Sequence, residues 1–149
     1  MQTQTPSRRQ CGFTLIELMI GVAVTGILSS IALPSFEGQL QKSRRADVLV
    51  STMAVQAAQE RFRSNTTGYG NLTEIGVPAT SAAKHYTLLI TANDADGFAL
   101  LATASGLQAR DVTCRYMKLT STGMNLVYAS GADAAVANPA AANQKCWAL

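Results

Sequence analysis

The run LIELMIGVAVTGILSSIAL, from Leu15 to Leu33, constrains this chain more than any other stretch. Its one charge is Glu17. A helix rises ~1.5 Å per residue, so about 20 apolar residues cross the ~30 Å hydrocarbon core of a bilayer. A cleaved secretory signal is the competing reading. Such signals usually have a shorter apolar stretch, ~7–15 residues, ending in a small-residue cleavage site. This run is longer, holds a carboxylate and continues without a break into a helical pattern, so cleavage after it would discard half of a continuous helix.

Lys/Arg counts around the run do not orient it. Arg8 and Arg9 precede it, and Lys42, Arg44 and Arg45 follow it soon after. The cysteines bear on the same question. There are three, Cys11, Cys114 and Cys146, an odd number for an exported chain. The number becomes even if Cys11 leaves with an N-terminal leader. Cys114 and Cys146 are then expected to pair, which places the C-terminal part in an oxidising compartment outside the cytoplasm. The alternative is two buried free thiols in a cytosolic protein. The net charge of +3 owes two units to Arg8 and Arg9, too weak a balance to imply nucleic acid by itself.

A carboxylate inside an apolar run needs an explanation, because insertion at mid-membrane costs a few kcal/mol. Glu17 stands about one turn inside. It either snorkels to the headgroups near the helix start or meets a specific cation. A cut between Gly12 and Phe13 would create an α-amine four residues before Glu17. On a neighbouring copy, that amine is able to neutralise the acid and fix the register of an apolar bundle. Gly21, Thr25 and Ser29 form a small-residue stripe, with Gly26 and Ser30 as a second pair, suited to close helix packing. Pro34 removes one helical hydrogen bond and is expected to bend the helix.

The stretch CGFTLIELMI resembles the class III signal of type IV pilins and pseudopilins, and the likeness covers residues 7–50 or so. The resemblance implies cleavage after Gly12 by prepilin peptidase and N-methylation of Phe13. It makes Glu17 the subunit-assembly glutamate and Pro34 the helix-kinking proline. Gly21–Pro34 is then where the helix is expected to loosen in a filament. Cys11 departs from the pattern, as an unusual neighbour of the cut. The expected parts are a leader over 1–12, an assembly helix over 13–34 and a head over 35–149.

Beyond Pro34, Ala46, Leu49, Val50, Met53, Ala54, Ala57, Ala58 and Phe62 recur at helical spacing. They predict one amphipathic face running to about Arg63, with Met53 and Phe62 in the core. Residues 64–84 read as a long loop pinned by Tyr69, Leu72, Ile75 and Val77. Its two glycosylation sequons, at Asn65 and Asn71, are too weak a motif to assign a glycan. Strands are predicted at Tyr86–Ala92, Phe98–Ala104, Cys114–Ser121 and Met124–Ala129. The third alternates, with Cys114, Tyr116 and Lys118 opposite Arg115, Met117 and Leu119. The fold class is therefore α+β, a long helix packed by its second half on an antiparallel meander of three or four strands. The tail after Ala129 shows little pattern. Cys146 is expected to staple it back, with Trp147 near the bridge.

The order of strands, cysteine and final Cys-Trp also resembles PilE-like minor pilins, a group that includes DNA-binding ComP-like members. The resemblance implies a structural subunit that waits in the inner membrane with its head in the periplasm and then joins an extracellular filament. Its partners would be other pilin subunits, prepilin peptidase/methyltransferase, the membrane and the inner-membrane assembly machinery. The filament would serve motility or adhesion. A type II secretion pseudopilin shares the same N-terminus. A DNA receptor is the other alternative, with Arg110, Arg115, Lys118 and Lys145 as candidate contacts, against the competing charge of Asp94, Asp96, Asp111 and Asp133. Catalysis is not expected, since the sole histidine, His85, has no nucleophile or carboxylate beside it in sequence. Nor is a metal or cofactor expected. Asn93-Asp94-Ala95-Asp96 is short for a calcium loop and suits a hairpin turn better.

Overall fold

The computed structural model describes residues 12–147, and the side chains of all of these except 32–35. The expectations for the leader and Cys11 lie outside the described residues, and the expected bend falls at Pro34, among the four residues whose side chains are not described. The chain forms two compact units, one reaching to Gly38 and the other starting at Gln39.

In the first unit, helix α1 begins at Leu15; it ends at Arg63, in the second unit. From Gly12 to Ile31 every residue is exposed. Among the described residues, α1 is the one helix long and apolar enough to cross a membrane.

The second unit, the head, sets α1 from Gln39 onward against a four-stranded sheet: β1 (Tyr86–Asn93), β2 (Gly97–Ala104), β3 (Tyr116–Thr122) and β4 (Asn125–Gly131). The strands are antiparallel in the order β1-β2-β3-β4, the expected meander. The β1–β2 hairpin turns as Asp94 Oδ1 accepts the N–H groups of Asp96 and Gly97, both at 2.8 Å, an Asx turn. Only glycine fits position 97, because a Cβ there would run into the Ser121 carbonyl of β3. Tyr86, Leu88, Phe98, Leu100, Met117 and Leu119 line the inner sheet face and meet Val48 and Val55 of α1. The third strand starts two residues later than expected. Cys114 closes a 3-10 turn, Val112–Cys114, and is buried beside Met117 and Leu119 rather than opposite them.

The buried face of the helix overlaps the predicted one only in part: Ala58 is buried and Leu49 packs half-buried against the core, but the centre of the face has shifted. Val48, Ser51, Thr52, Val55, Ala58 and Gln59 are buried, whereas Val50 and Met53 remain 61% and 65% exposed. Ala46, Ala54 and Ala57 are exposed as well, and Phe62 is half-buried. Polar residues are admitted because each is satisfied. Ser51 Oγ donates to the Asp47 carbonyl and Thr52 Oγ1 to that of Val48, both at 2.7 Å. Gln59 donates to the Gly70 carbonyl at 2.7 Å and accepts its N–H at 2.9 Å, two bonds no apolar residue supplies. The same bonds hold the loop, which Tyr69, Leu72, Ile75 and Val77 pin as expected. Tyr69 packs its ring 5.3 Å from Phe98 and lies under the Arg63 guanidinium.

The tail is more ordered than its composition implies. Ala140–Trp147 form a second helix, α2. It is tied to β4 by Asn143 Nδ2 donating to the Tyr128 carbonyl at 2.6 Å, and by Trp147 Nε1 donating to that of Ala129 at 2.9 Å. Trp147 is buried, edge-on to Tyr128 at 4.9 Å.

Candidate functional site

The start of α1 carries the sharpest local chemistry. Thr14 is the N-cap and Glu17 the third helical residue, a capping box. Thr14 Oγ1 accepts the Glu17 N–H at 3.3 Å, and Glu17 Oε2 accepts the Thr14 N–H at 3.0 Å. The Thr14 hydroxyl also donates to Oε2, at 2.9 Å. One carboxylate oxygen thus satisfies donors of the helix's own first turn. Among the described residues, Oε1 takes no bond. Thr14 is the residue that the sequence reading missed, though Thr-x-x-Glu ahead of an apolar run is the signal for it. Gly12 and Phe13 precede the cap outside any helix or strand and are exposed, Phe13 at 88%.

The small-residue stripe keeps its polarity to itself. Thr25 Oγ1 donates to the Gly21 carbonyl at 2.7 Å and Ser29 Oγ to the Thr25 carbonyl at 2.8 Å. Ser30 Oγ likewise donates to Ile27, at 2.7 Å. The hydroxyls need no partner from a second molecule, so the stripe offers a low surface over which helices approach closely.

In the head, Cys114 and Cys146 form the expected disulfide, their Cα atoms 5.4 Å apart. Beside it lies a polar latch that no sequence motif announced. Arg45 of α1 pairs with the buried Asp111 at 2.7 Å and donates to the Lys145 carbonyl at 2.9 Å. It thereby ties to α1 the segments that lead into both cysteines. Gln108, fully buried, shares the two N–H donors of Nε2 among three acceptors within reach, Asp111 Oδ2, the Tyr86 hydroxyl and the Gln41 carbonyl. Burial pushes the Tyr86 phenol up to about 12, partly offset by its bond from Gln108.

The four candidate DNA contacts do not form one cluster. Arg110, exposed, ends the first 3-10 turn, Gly106–Arg110, and Lys145, also exposed, lies in the last turn of α2. Arg115 is half-buried, its Nε bonded to the Ala109 carbonyl at 3.0 Å. Lys118 stands apart in mid-β3, opposite Leu101 and Ala129. Asp111, expected among the competing surface acids, is instead buried and paired with Arg45. His85 is half-buried just before β1. No group of three or more His, Cys, Asp or Glu suited to a metal occurs among the described residues.

Comparison with known proteins places this architecture. Residues 7–33 match the prokaryotic N-terminal methylation motif, and residues 34–118 match the family described as type IV minor pilin ComP, DNA uptake sequence receptor. Fimbrial protein Q of Moraxella bovis is 36% identical over 104 residues, covering 65% of each chain. The type IV major pilin protein PilA of Myxococcus xanthus is 42% identical over 69 residues, covering 46% of this chain and 31% of that one. Type II secretion system core protein G of Klebsiella pneumoniae is 32% identical over 76 residues, covering 51% and 54%. Each alignment spans less than two thirds of the relative's own length. An apolar helix behind a methylation motif, a meander head stapled by Cys114–Cys146 and a family match over more than half its length agree: the chain belongs to the type IV pilin family.

Proposed function

We propose that this chain is a minor subunit of a type IV pilus, acting by assembly and not by catalysis. It waits as a single-pass protein of the inner membrane with its head in the periplasm. Prepilin peptidase cuts between Gly12 and Phe13 and the new Phe13 amine is methylated. The inner-membrane assembly machinery then draws the subunit into an extracellular filament serving motility or adhesion.

One observation carries this reading. The described residues 15–31 form a helix that is exposed throughout, while the head closes a core of its own. A helix apolar on all sides is stable only among lipid tails or like helices. In the filament, Glu17 Oε1 accepts the Phe13 ammonium of the adjacent copy. An unmatched carboxylate in that bundle is stranded without solvent, so the pair selects one register. Pro34 supplies the bend along the helix. The test is the mature N-terminus by mass spectrometry. It is expected to be N-methylated Phe13; an intact Met1, or a cut near Ala32, sinks the reading.

The match to the DNA uptake sequence receptor family favours a second reading, in which the filament-borne head binds DNA. Arg110, Arg115, Lys118 and Lys145 are its candidate contacts. Binding to phosphates must weaken steeply with salt. A gel shift with the full chain in detergent micelles, repeated across salt concentrations, separates the two; retention independent of salt, or none, removes the DNA reading.

A further inference from the structure

We propose that the end of the head where α1 enters it is a docking surface for anionic phospholipid, engaged while the subunit waits in the membrane; this rests on the membrane-anchored reading above. Contacts within the head bring distant segments to one level. Arg45 reaches Asp111 and the Lys145 carbonyl, and Gln108 reaches the Gln41 carbonyl. The first turns of the head helix, both 3-10 turns and the end of α2 therefore share one end. Asp47 of α1 accepts bonds from the Ser81 hydroxyl and from the N–H groups of Ala83 and His85, which brings the Lys84 loop to the same end. Ser105 Oγ donates to the Lys84 carbonyl at 2.9 Å, and Arg115 bonds the Ala109 carbonyl.

Lys42, Arg44, Lys84, Arg110, Arg115 and Lys145 thus gather at one end. Four are exposed, with Arg44 and Arg115 half-buried. The acids there are largely consumed, Asp111 by Arg45 and Asp47 by the Lys84 loop; Asp133 is left exposed, as is Glu37 on the stretch of α1 leading in. At the opposite end the sign reverses. The β1–β2 turn meets both the loop after α1 and the β3–β4 turn, through Tyr69 N–H donating to the Asp94 carbonyl and Gly123 N–H to that of Asp96. Glu60, Glu74, Asp94 and Asp96 outnumber Arg61 and Arg63 there.

The polarity selects lipid over DNA. The basic end is the one continuous in sequence with the apolar run, since Lys42 and Arg44 follow Leu33 by about three helical turns. Basic residues flanking a membrane segment gain from an anionic leaflet, and that attraction fades within a Debye length. The acidic far end lies beyond that range in the docked state but would be repelled if turned toward the leaflet, so the head is oriented as well as held.

The test uses the full chain in vesicles of phosphatidylcholine alone and of phosphatidylcholine with an equal part of phosphatidylglycerol. Amine acylation rates are read residue by residue by mass spectrometry. The expected result is a slowing of about fivefold or more at Lys42, Lys84 and Lys145 in the anionic vesicles. Lys118 in mid-sheet is expected to keep its rate, and high salt to abolish the protection. The double variant Arg110→Glu with Lys145→Glu is expected to lose the protection at Lys42 and Lys84. Equal rates in both vesicles overturn the proposal. So does protection that appears only when duplex DNA is added to neutral vesicles, which assigns the surface to nucleic acid. Failure to float with either vesicle removes the membrane reading itself.

Discussion

The two parts of α1 obey the same backbone rules and reach opposite outcomes. Before Gly38, Leu18, Ile20 and Ile27 are each more than half exposed, and the polar groups of the stripe close on their own helix. After Gln39, the helix buries Val48 and Val55 together with Ser51, Thr52 and Gln59, each polar group answered from within the chain. The first part must find its environment outside the molecule, and the second carries its environment with it. Substitutions should therefore divide into those read in assembly and those read in head stability.

The largest expected effect falls on assembly. Glu17→Ala removes the anion proposed to pair with the neighbour's Phe13 amine, and incorporation into filaments should be lost while thermal unfolding of the head stays unchanged. Wild-type incorporation of the variant, followed by immunoblotting of sheared filaments, would show that the carboxylate has no docking role. Breaking the head is the converse. Replacing Cys114 and Cys146 by serine opens the loop between two positions 32 residues apart and should cost the head about 3–4 kcal/mol in denaturant unfolding. The processing proposed for the N-terminus should be unaffected.

A paired substitution sharpens the contrast inside the helix. Val55→Ala empties fully buried volume and should cost about 2 kcal/mol. Met53→Ala, on the exposed face, should leave head stability within about 0.5 kcal/mol. Equal costs at the two positions would restore the face expected from spacing. The smallest effect is alkaline. Tyr86 has its folded value raised to about 12 from an ordinary 10, so the unfolded chain releases the proton first. Stability from this group is complete below pH 10 and is lost as pH rises through 12. Tyr86→Phe should flatten the fall in unfolding free energy between pH 10 and 12; an unchanged slope contradicts the burial of the phenol.

Much of this was legible because it is written in local patterns. Glu17 inside an apolar run and the turn residues before Gly97 each carry their meaning within a few positions, and the odd cysteine number is a count that needs no geometry. The helix face was not legible in that way. Residues 46–62 hold two competing stripes, one apolar through Val50, Met53 and Ala57, and one mixed through Val48, Thr52, Val55 and Gln59. Hydrophobic periodicity favours the first, because it cannot see that Gly70 will satisfy Gln59 from a loop eleven residues on. The Arg45–Asp111 pair was hidden for the same reason, its partners being 66 residues apart.

What the sequence alone determined was the division of labour: an apolar segment with one carboxylate must live among lipids or other helices, and alternating runs with turn residues must pair as a meander. Only the tertiary structure decided which helix face enters the core, that Ala140–Trp147 is a helix, and that Arg45 of the helix meets Asp111 and the Lys145 carbonyl. Hydrophobicity and turn chemistry act between near neighbours and survive in a linear reading. Hydrogen-bond satisfaction and charge placement depend on groups that meet only after the chain has closed.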